Sequence, residues 1–194
     1  MSTTQAVVVA VIAGYLLGSI PVAQLATRRD LRTVGDRNPG YWNAKETIGR
    51  RAAVPVFIGD LLKGAVAAGI GVAVATPGDW WIGYVAAFAA MVGHAWPVFA
   101  GFRGGRSILT FAGAVCVLSP ITGLVCIALV VVVTAAHSFA WGARVGVFAF
   151  PVVQLVVDGP YRTAATGCLM TLIGVRFAQA AFSRRSDPAS ADAV

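Results

Sequence analysis

The sequence predicts an all-α polytopic membrane protein, with about seven transmembrane or re-entrant helices in one bundle. Three observations point there. Hydrophobic residues make up 58% of the 194-residue chain and charged residues only 12%, half the roughly 25% that covers a soluble globular surface. Mean hydropathy is +0.78. The apolar residues fall into runs near the ~20 residues an α-helix needs to cross a bilayer, and most basic residues fall between those runs.

The first run, Gln5–Ala26, lacks a basic leading region and a clean small-residue cleavage site, and it is long enough to span. It is therefore expected to be a retained helix and not a removed signal. Gly18-Ser19-Ile20-Pro21 interrupts it. Proline removes a backbone donor and crowds the preceding turn, which gives either an ordinary kink or a bend that opens a cavity. The second run, Ala53–Thr76, holds Asp60 and Lys63. The third, Trp80–Ala100, carries His94 and Pro97 near its end. The fourth, Ser107–Leu118, is short and stops before Pro120; the fifth is Ile121–Ala136. The sixth, Val145–Val157, is also short, and the seventh is Thr163–Phe182. The two short runs are tilted, re-entrant or extended into neighbouring residues. Residues 1–183 form one membrane-embedded domain on this reading, and 184–194 a short polar cytoplasmic tail. Cys116, Cys126 and Cys168 stand singly in apolar stretches, without metal-ligand spacing, and read as small buried hydrophobes.

Seven crossings put loops 27–52, 101–106 and 137–144 and the tail on one side. That side carries Arg28, Arg29, Arg32, Arg37, Lys45, Arg50, Arg51, Arg103, Arg106, Arg144, Arg184 and Arg185, twelve of the 15 basic residues. The opposite loops hold Arg162 beside Asp79 and Asp158; Lys63 and Arg176 lie within segments. The positive-inside rule makes the basic side cytoplasmic and the N-terminus external. Trp80, Trp81, Trp96, Trp141 and Tyr161 fall near segment ends, as interface anchors do. Topology accounts for most of the net charge of +7, so no nucleic-acid partner is needed. Membrane lipids with anionic headgroups are the expected neighbours.

Polar groups capable of chemistry concentrate on that basic side. Gly35-Asp36-Arg37-Asn38-Pro39-Gly40 has turn chemistry, and Asn38 and Asn43 each donate and accept hydrogen bonds. Asp60 and Lys63 are one helical turn apart and share a face. Ionisable groups at membrane depth face a cavity or each other. The pair is either a neutralising couple or a lysine aimed at phosphate and held by its aspartate. Gly101-Phe102-Arg103-Gly104-Gly105-Arg106-Ser107 opens the fourth segment. Glycines let successive N–H groups turn toward an anion, the new helix begins there, and guanidinium grips phosphate bidentately. The spacing is not that of a nucleotide-binding P-loop, and no strand precedes it.

Taken together, GSIP (Gly18–Pro21), DLRTVGDRNPGYWNAKETIG (Asp30–Gly49), DLLKG (Asp60–Gly64) and GHAWPVFAGFRGG (Gly93–Gly105) resemble the bacterial integral-membrane glycerol-3-phosphate acyltransferases that use acyl phosphate, the PlsY family. The resemblance covers roughly the first 110 residues. It implies transfer of an acyl group from acyl phosphate to the 1-hydroxyl of glycerol 3-phosphate. The product is lysophosphatidic acid, made at the cytoplasmic face for phospholipid synthesis, without metal, coenzyme A or other cofactor. It also implies substrate-binding roles for Lys63, Arg103, Gly104, Gly105, Arg106 and Gly40, with backbone amides of the glycines and the cationic side chains on phosphate. Asn38, Asn43 and His94 orient the loops or the attacking hydroxyl.

The chain departs from the family pattern at several positions. Asp36 stands where that pattern has serine, Arg37 where it has glycine, Tyr41-Trp42 where it has alanine-threonine, and Glu46 where it has arginine. Gly104-Gly105-Arg106-Ser107 replaces GGKG, keeping the charge with a different geometry. The histidine–asparagine cluster near the family's C-terminus is replaced by a stretch offering Arg176 and Gln179. A carboxylate at Glu46 would repel phosphate. Two alternatives follow: a catalytically degenerate paralogue that binds lipid or phosphate, and a small transporter, against which stands the lack of an inverted repeat.

Overall fold

A computed structural model describes residues 1–185. Among them are nine α-helices and two single 3₁₀ turns, Leu31–Thr33 and Val98–Ala100, with no strand. The helices are α1 (Thr3–Gly18), α2 (Val22–Thr27), α3 (Tyr41–Ile48), α4 (Arg50–Val74), α5 (Ile82–Ala95), α6 (Ile108–Leu118), α7 (Pro120–Ala136), α8 (Phe139–Val157) and α9 (Pro160–Arg185). Five stretches are long and apolar enough to span: Thr3–Thr27, Arg50–Val74, Ile82–Ala100, Phe139–Val157 and Pro160–Ser183. With the shorter α6 and α7 they make the seven expected segments, whereas most of the tail, residues 186–194, lies outside the described residues.

The sixth segment differs from the expectation. It starts at Phe139 and not at Val145, because Ser138 caps the helix by accepting the Trp141 N–H. Arg144 had hidden that first turn from a hydropathy reading. α6 has 11 residues, a rise of about 16 Å against the ~30 Å hydrocarbon core. On its own it is too short to cross.

Close approach of backbones explains the composition of the first half. Ala6, Ala10, Gly14 and Gly18 recur every fourth residue and are all buried, so they form one stripe. A Cβ on Gly14 or Gly18 would strike the carbonyls of Ala86 or Ala90 on α5. Likewise Gly64 meets the backbone of Thr110 and Gly113 that of Leu61, which sets the α4–α6 crossing. With no hydrophobic drive between helices in lipid, such small-residue contacts supply the packing. Larger side chains fill the centre, where Tyr84, Met91, Phe111, Val115, Phe150 and Leu169 form one buried cluster.

The kink at Pro21 forms as expected. Without its N–H the helix breaks at Ser19–Pro21, and the Ile20 N–H turns back to the Leu17 carbonyl at 3.2 Å. One tryptophan departs from the anchor role. Trp42, Trp80, Trp81 and Trp141 are exposed, whereas Trp96 packs against the central cluster. Its carbonyl accepts the Tyr15 hydroxyl at 3.0 Å.

Candidate active site

The two polar loops meet at one end of the bundle, and named contacts hold them there. Asp30 and Arg32 pair side by side: Nε to Oδ1 at 2.7 Å and Nη2 to Oδ2 at 2.8 Å. The remaining arm, Nη1, donates to the Ala100 carbonyl at 2.8 Å. Hydrogen bonds from Arg32 hold the Asp30 carboxyl below its ordinary range, and the same pairing raises the Arg32 guanidinium. This arginine thus ties the first loop to the second.

Inside the first loop, Asn43 is buried. Its amide donates to the carbonyls of Leu31 and Val34, both at 2.9 Å, and its Oδ1 accepts the Asp36 N–H at 3.2 Å. Both donors are directed into the loop, so Asn43 shapes the loop from within. Asn38 instead lines two cavities, with its backbone N–H on Asp36 Oδ1 at 3.0 Å. Gly40 caps α3 beside it, where a Cβ would press on the Asn38 amide.

Beneath the loops lies a buried charged group. Asp60, Lys63 and His94 are 2%, 6% and 8% exposed. Lys63 Nζ sits 2.9 Å from Asp60 Oδ1, and His94 Nδ1 sits 3.5 Å from the same oxygen. Lys63 also donates to the Ile20 carbonyl at 3.3 Å, in the kink that the proline opened. Both readings of the Asp60–Lys63 pair are therefore partly met: the charges neutralise each other, yet both side chains line the cavity under the kink, with Arg32, His94, Arg103 and Gly104.

The glycine turn corrects one expectation. The Gly104 N–H donates to the Ala95 carbonyl at 3.1 Å and the Gly105 N–H to that of His94 at 3.0 Å. These amides point inward and do not form an anion nest. The glycines serve close approach instead: a Cβ on Gly104 would meet the His94 carbonyl, and one on Gly105 the His94 imidazole Nε2. Their outward carbonyls accept from Arg176, Nη2 to Gly104 at 3.0 Å and Nε to Gly105 at 3.1 Å. Arg176 also donates to Gln179 Oε1 at 2.8 Å and lies over the Trp96 ring at 4.9 Å. It could have been singled out from the sequence, as a lone cation inside an apolar segment.

Arg106 stands where three features converge. Its Nη1 is 3.1 Å from Asp36 Oδ2, and its guanidinium lies 4.8 Å over Phe177. It lines a basic cleft with Arg37, Asn38, Arg176, Gln179 and Ser183. It also lines a throat in which Asn38, Asp60 and His94 face Tyr41, Phe57 and Phe139. The throat shares Phe57, Ile108, Leu109, Phe139 and Ala143 with an apolar groove between α4, α6, α7 and α8. Glu46 is exposed, its carboxylate 2.9 Å from Lys45 Nζ, and it lines none of these cavities. Among the described residues no group of His, Cys, Asp or Glu is arranged to hold a metal ion.

This geometry has relatives. The glycerol-3-phosphate acyltransferase family model matches residues 8–184. A glycerol-3-phosphate acyltransferase of Clostridioides difficile (strain 630) is 35% identical over 166 residues, 78% of each chain. One of Rhizobium etli is 34% identical over 185 residues, 88% of this chain and 84% of its own. The crystal structure of PlsY, an integral membrane glycerol 3-phosphate acyltransferase, in its glycerol 3-phosphate form superposes with a TM-score of 0.77 at 28% identity, covering 89% of this chain and 88% of that one. Its lysophosphatidic acid form gives 0.73 at 27%, covering 88% and 87%. From motif order, cavity arrangement and these likenesses, this chain belongs to the glycerol-3-phosphate acyltransferase family.

Proposed function

We propose that this acyltransferase takes its acyl group from acyl phosphate and passes it to glycerol 3-phosphate in the basic cleft and throat around Arg106. One observation carries the reading: a cleft lined by Arg37, Arg106 and Arg176 runs through Arg106 and Asn38 into a throat that continues into an apolar groove. An acyl phosphate has that same division, a dianionic head on a hydrocarbon tail. The groove takes the tail, and the head stays with the guanidinium groups.

In the reaction, the 1-hydroxyl oxygen of glycerol 3-phosphate attacks the acyl carbonyl carbon. The carbon–oxygen bond to phosphate breaks, and the departing phosphate takes up the hydroxyl proton. Lysophosphatidic acid and inorganic phosphate result. Arg106 holds phosphate charge in the cleft and throat, and Arg103 and Lys63 add theirs from the cavity under the kink, which shares Asp60 and His94 with the throat. Asn38 and His94 orient the reacting hydroxyl, and Asn43 fixes the loop that carries Asn38. Holding both substrates in register is the main lever, and cationic stabilisation of charge developing on the carbonyl oxygen is the second. The cleft faces the cytoplasm, where both phosphorylated substrates are soluble or surface-bound, and the N-terminus lies outside; the density of basic residues at this end supports that orientation.

The test is purified protein in detergent with palmitoyl phosphate and glycerol 3-phosphate. Equimolar lysophosphatidic acid and phosphate are expected, with no product from palmitoyl coenzyme A. Binding of both substrates without product would establish the degenerate paralogue instead.

A further inference from the structure

The family resemblance leaves one feature unexplained: a large aromatic side chain at position 41, where the family pattern has alanine. Tyr41 is the first residue of α3, and its ring is the centre of a three-ring cluster built from three helices. It meets Phe57 of α4 edge-on, centroids 5.2 Å apart at 73°, and Phe139 of α8 at 5.9 Å and 77°. Phe57 and Phe139 complete the triangle at 6.5 Å and 63°. These are preferred aromatic geometries, so each ring holds the other two in place.

The cluster sits where width matters. Tyr41 lines the throat only, whereas Phe57 and Phe139 line both the throat and the apolar groove. Ile108 and Leu109 of α6 line the same throat, as does Ala143, one turn along α8 from Phe139. With the phosphate head at Arg106 and the tail in the groove, the carbonyl and the first methylenes must lie among these side chains. Ring positions fixed from three directions give that passage a set width, because packed side chains yield little. Tyr41 lines the throat beside the other two and, packed on both, limits how far they can move.

We propose that Tyr41 is a specificity-determining residue: the aromatic wall it forms with Phe57 and Phe139 admits straight acyl chains and excludes those branched next to the carbonyl. This rests on the assignment of the throat and groove to the acyl donor. Selection acts through width, so the ring matters and the hydroxyl does not.

The experiment compares palmitoyl phosphate with a 2-methyl-branched acyl phosphate of equal chain length. The wild-type enzyme is expected to favour the straight chain at least tenfold in kcat/KM. Tyr41→Ala should reduce that ratio to about two- or threefold, mainly by faster use of the branched donor, and Tyr41→Phe should keep the wild-type ratio. Phe139→Leu, on another helix, should relax selection in the same direction and serves if Tyr41→Ala fails to fold. An unchanged ratio in both an active Tyr41→Ala and an active Phe139→Leu overturns the proposal, as does a wild-type enzyme that does not discriminate.

A separate readout checks the underlying assignment. Cys116 and Cys126 line the groove, so in a Cys168→Ser background palmitoyl phosphate should slow their reaction with N-ethylmaleimide. Absence of protection would remove the groove assignment itself, whatever the donor ratios.

Discussion

The two ends of the bundle are both polar, and they use their polar groups in opposite ways. At the end away from the loops, charged and hydroxyl groups close on one another or on helix termini. Asp79 accepts from Thr3 and Thr76, and Asp158 accepts from Thr122 at 2.9 Å. Arg162 donates to the Leu118 carbonyl at 2.9 Å. The Gln154 amide donates to both Tyr84 and Ser119, fully inside the protein. At the loop end, Arg103, Arg106, Arg176 and Lys63 keep contact with open cavities. Polar groups that meet only other protein groups fasten helices, whereas the loop-end cations, although Arg106, Lys63 and Arg176 pair with Asp36, Asp60 and loop carbonyls, also border cavities that an anion can enter. The loop end holds most of the basic residues, and this second contact with open space separates it from the other end.

That contrast can be broken most sharply at Gly105. Gly105→Ala places a methyl against the His94 ring and should shift the loop by a fraction of an ångström or more. Misplacement near 1 Å costs about 100-fold in rate, so kcat in the detergent assay should fall by about that factor with the melting temperature little changed. Next comes Arg106→Ala. Loss of hydrogen bonds to a charged partner, about 1.5–3 kcal/mol, corresponds to roughly a 10- to 100-fold drop in kcat/KM, read from initial rates at varied acyl phosphate.

Gln154→Leu probes the fastening end. It should leave kcat/KM within twofold while destabilising the fold by about 1–2 kcal/mol, measured as a lower denaturation midpoint in detergent. A large loss of activity with unchanged stability would erase the distinction between the ends. Asp36→Ser should act in the favourable direction and more weakly. Asp36 holds Arg106 at 3.1 Å and so competes with phosphate; its removal should lower KM for the phosphorylated substrates by a few-fold.

The smallest effect is expected from pH. Asp30 has its carboxyl held down by Arg32 in the folded chain. Its contribution is complete above the ordinary value of 3.8 and is lost as pH falls through the lower folded value. A modest decrease in melting temperature between pH 5 and pH 3, smaller in Asp30→Asn than in the wild type, would show it.

Much of this was legible in the sequence, for a physical reason. Spans are local: one window of apolar residues decides each. The kink at Pro21, the shared face of Asp60 and Lys63, and the joint location of Asn38 and Arg106 followed from local rules plus the alternation of sides. Direction of individual groups did not. Glycine spacing cannot tell whether an amide faces outward or back toward its own chain, and Gly104 and Gly105 face back. Nor does a sequence tell that Asn43 is enclosed by its own loop, that Glu46 pairs with its neighbour Lys45, or that Arg176 reaches 72 positions back along the chain to Gly104. Those depend on contacts between segments that no local window contains.

The Arg176 contact also bears on what a shortened chain would keep. The four motifs that carry the family resemblance all lie before residue 107, yet the carbonyls of Gly104 and Gly105 are held by a guanidinium from α9. A chain that ended after α8 would keep every one of those motifs and lose the brace on that turn.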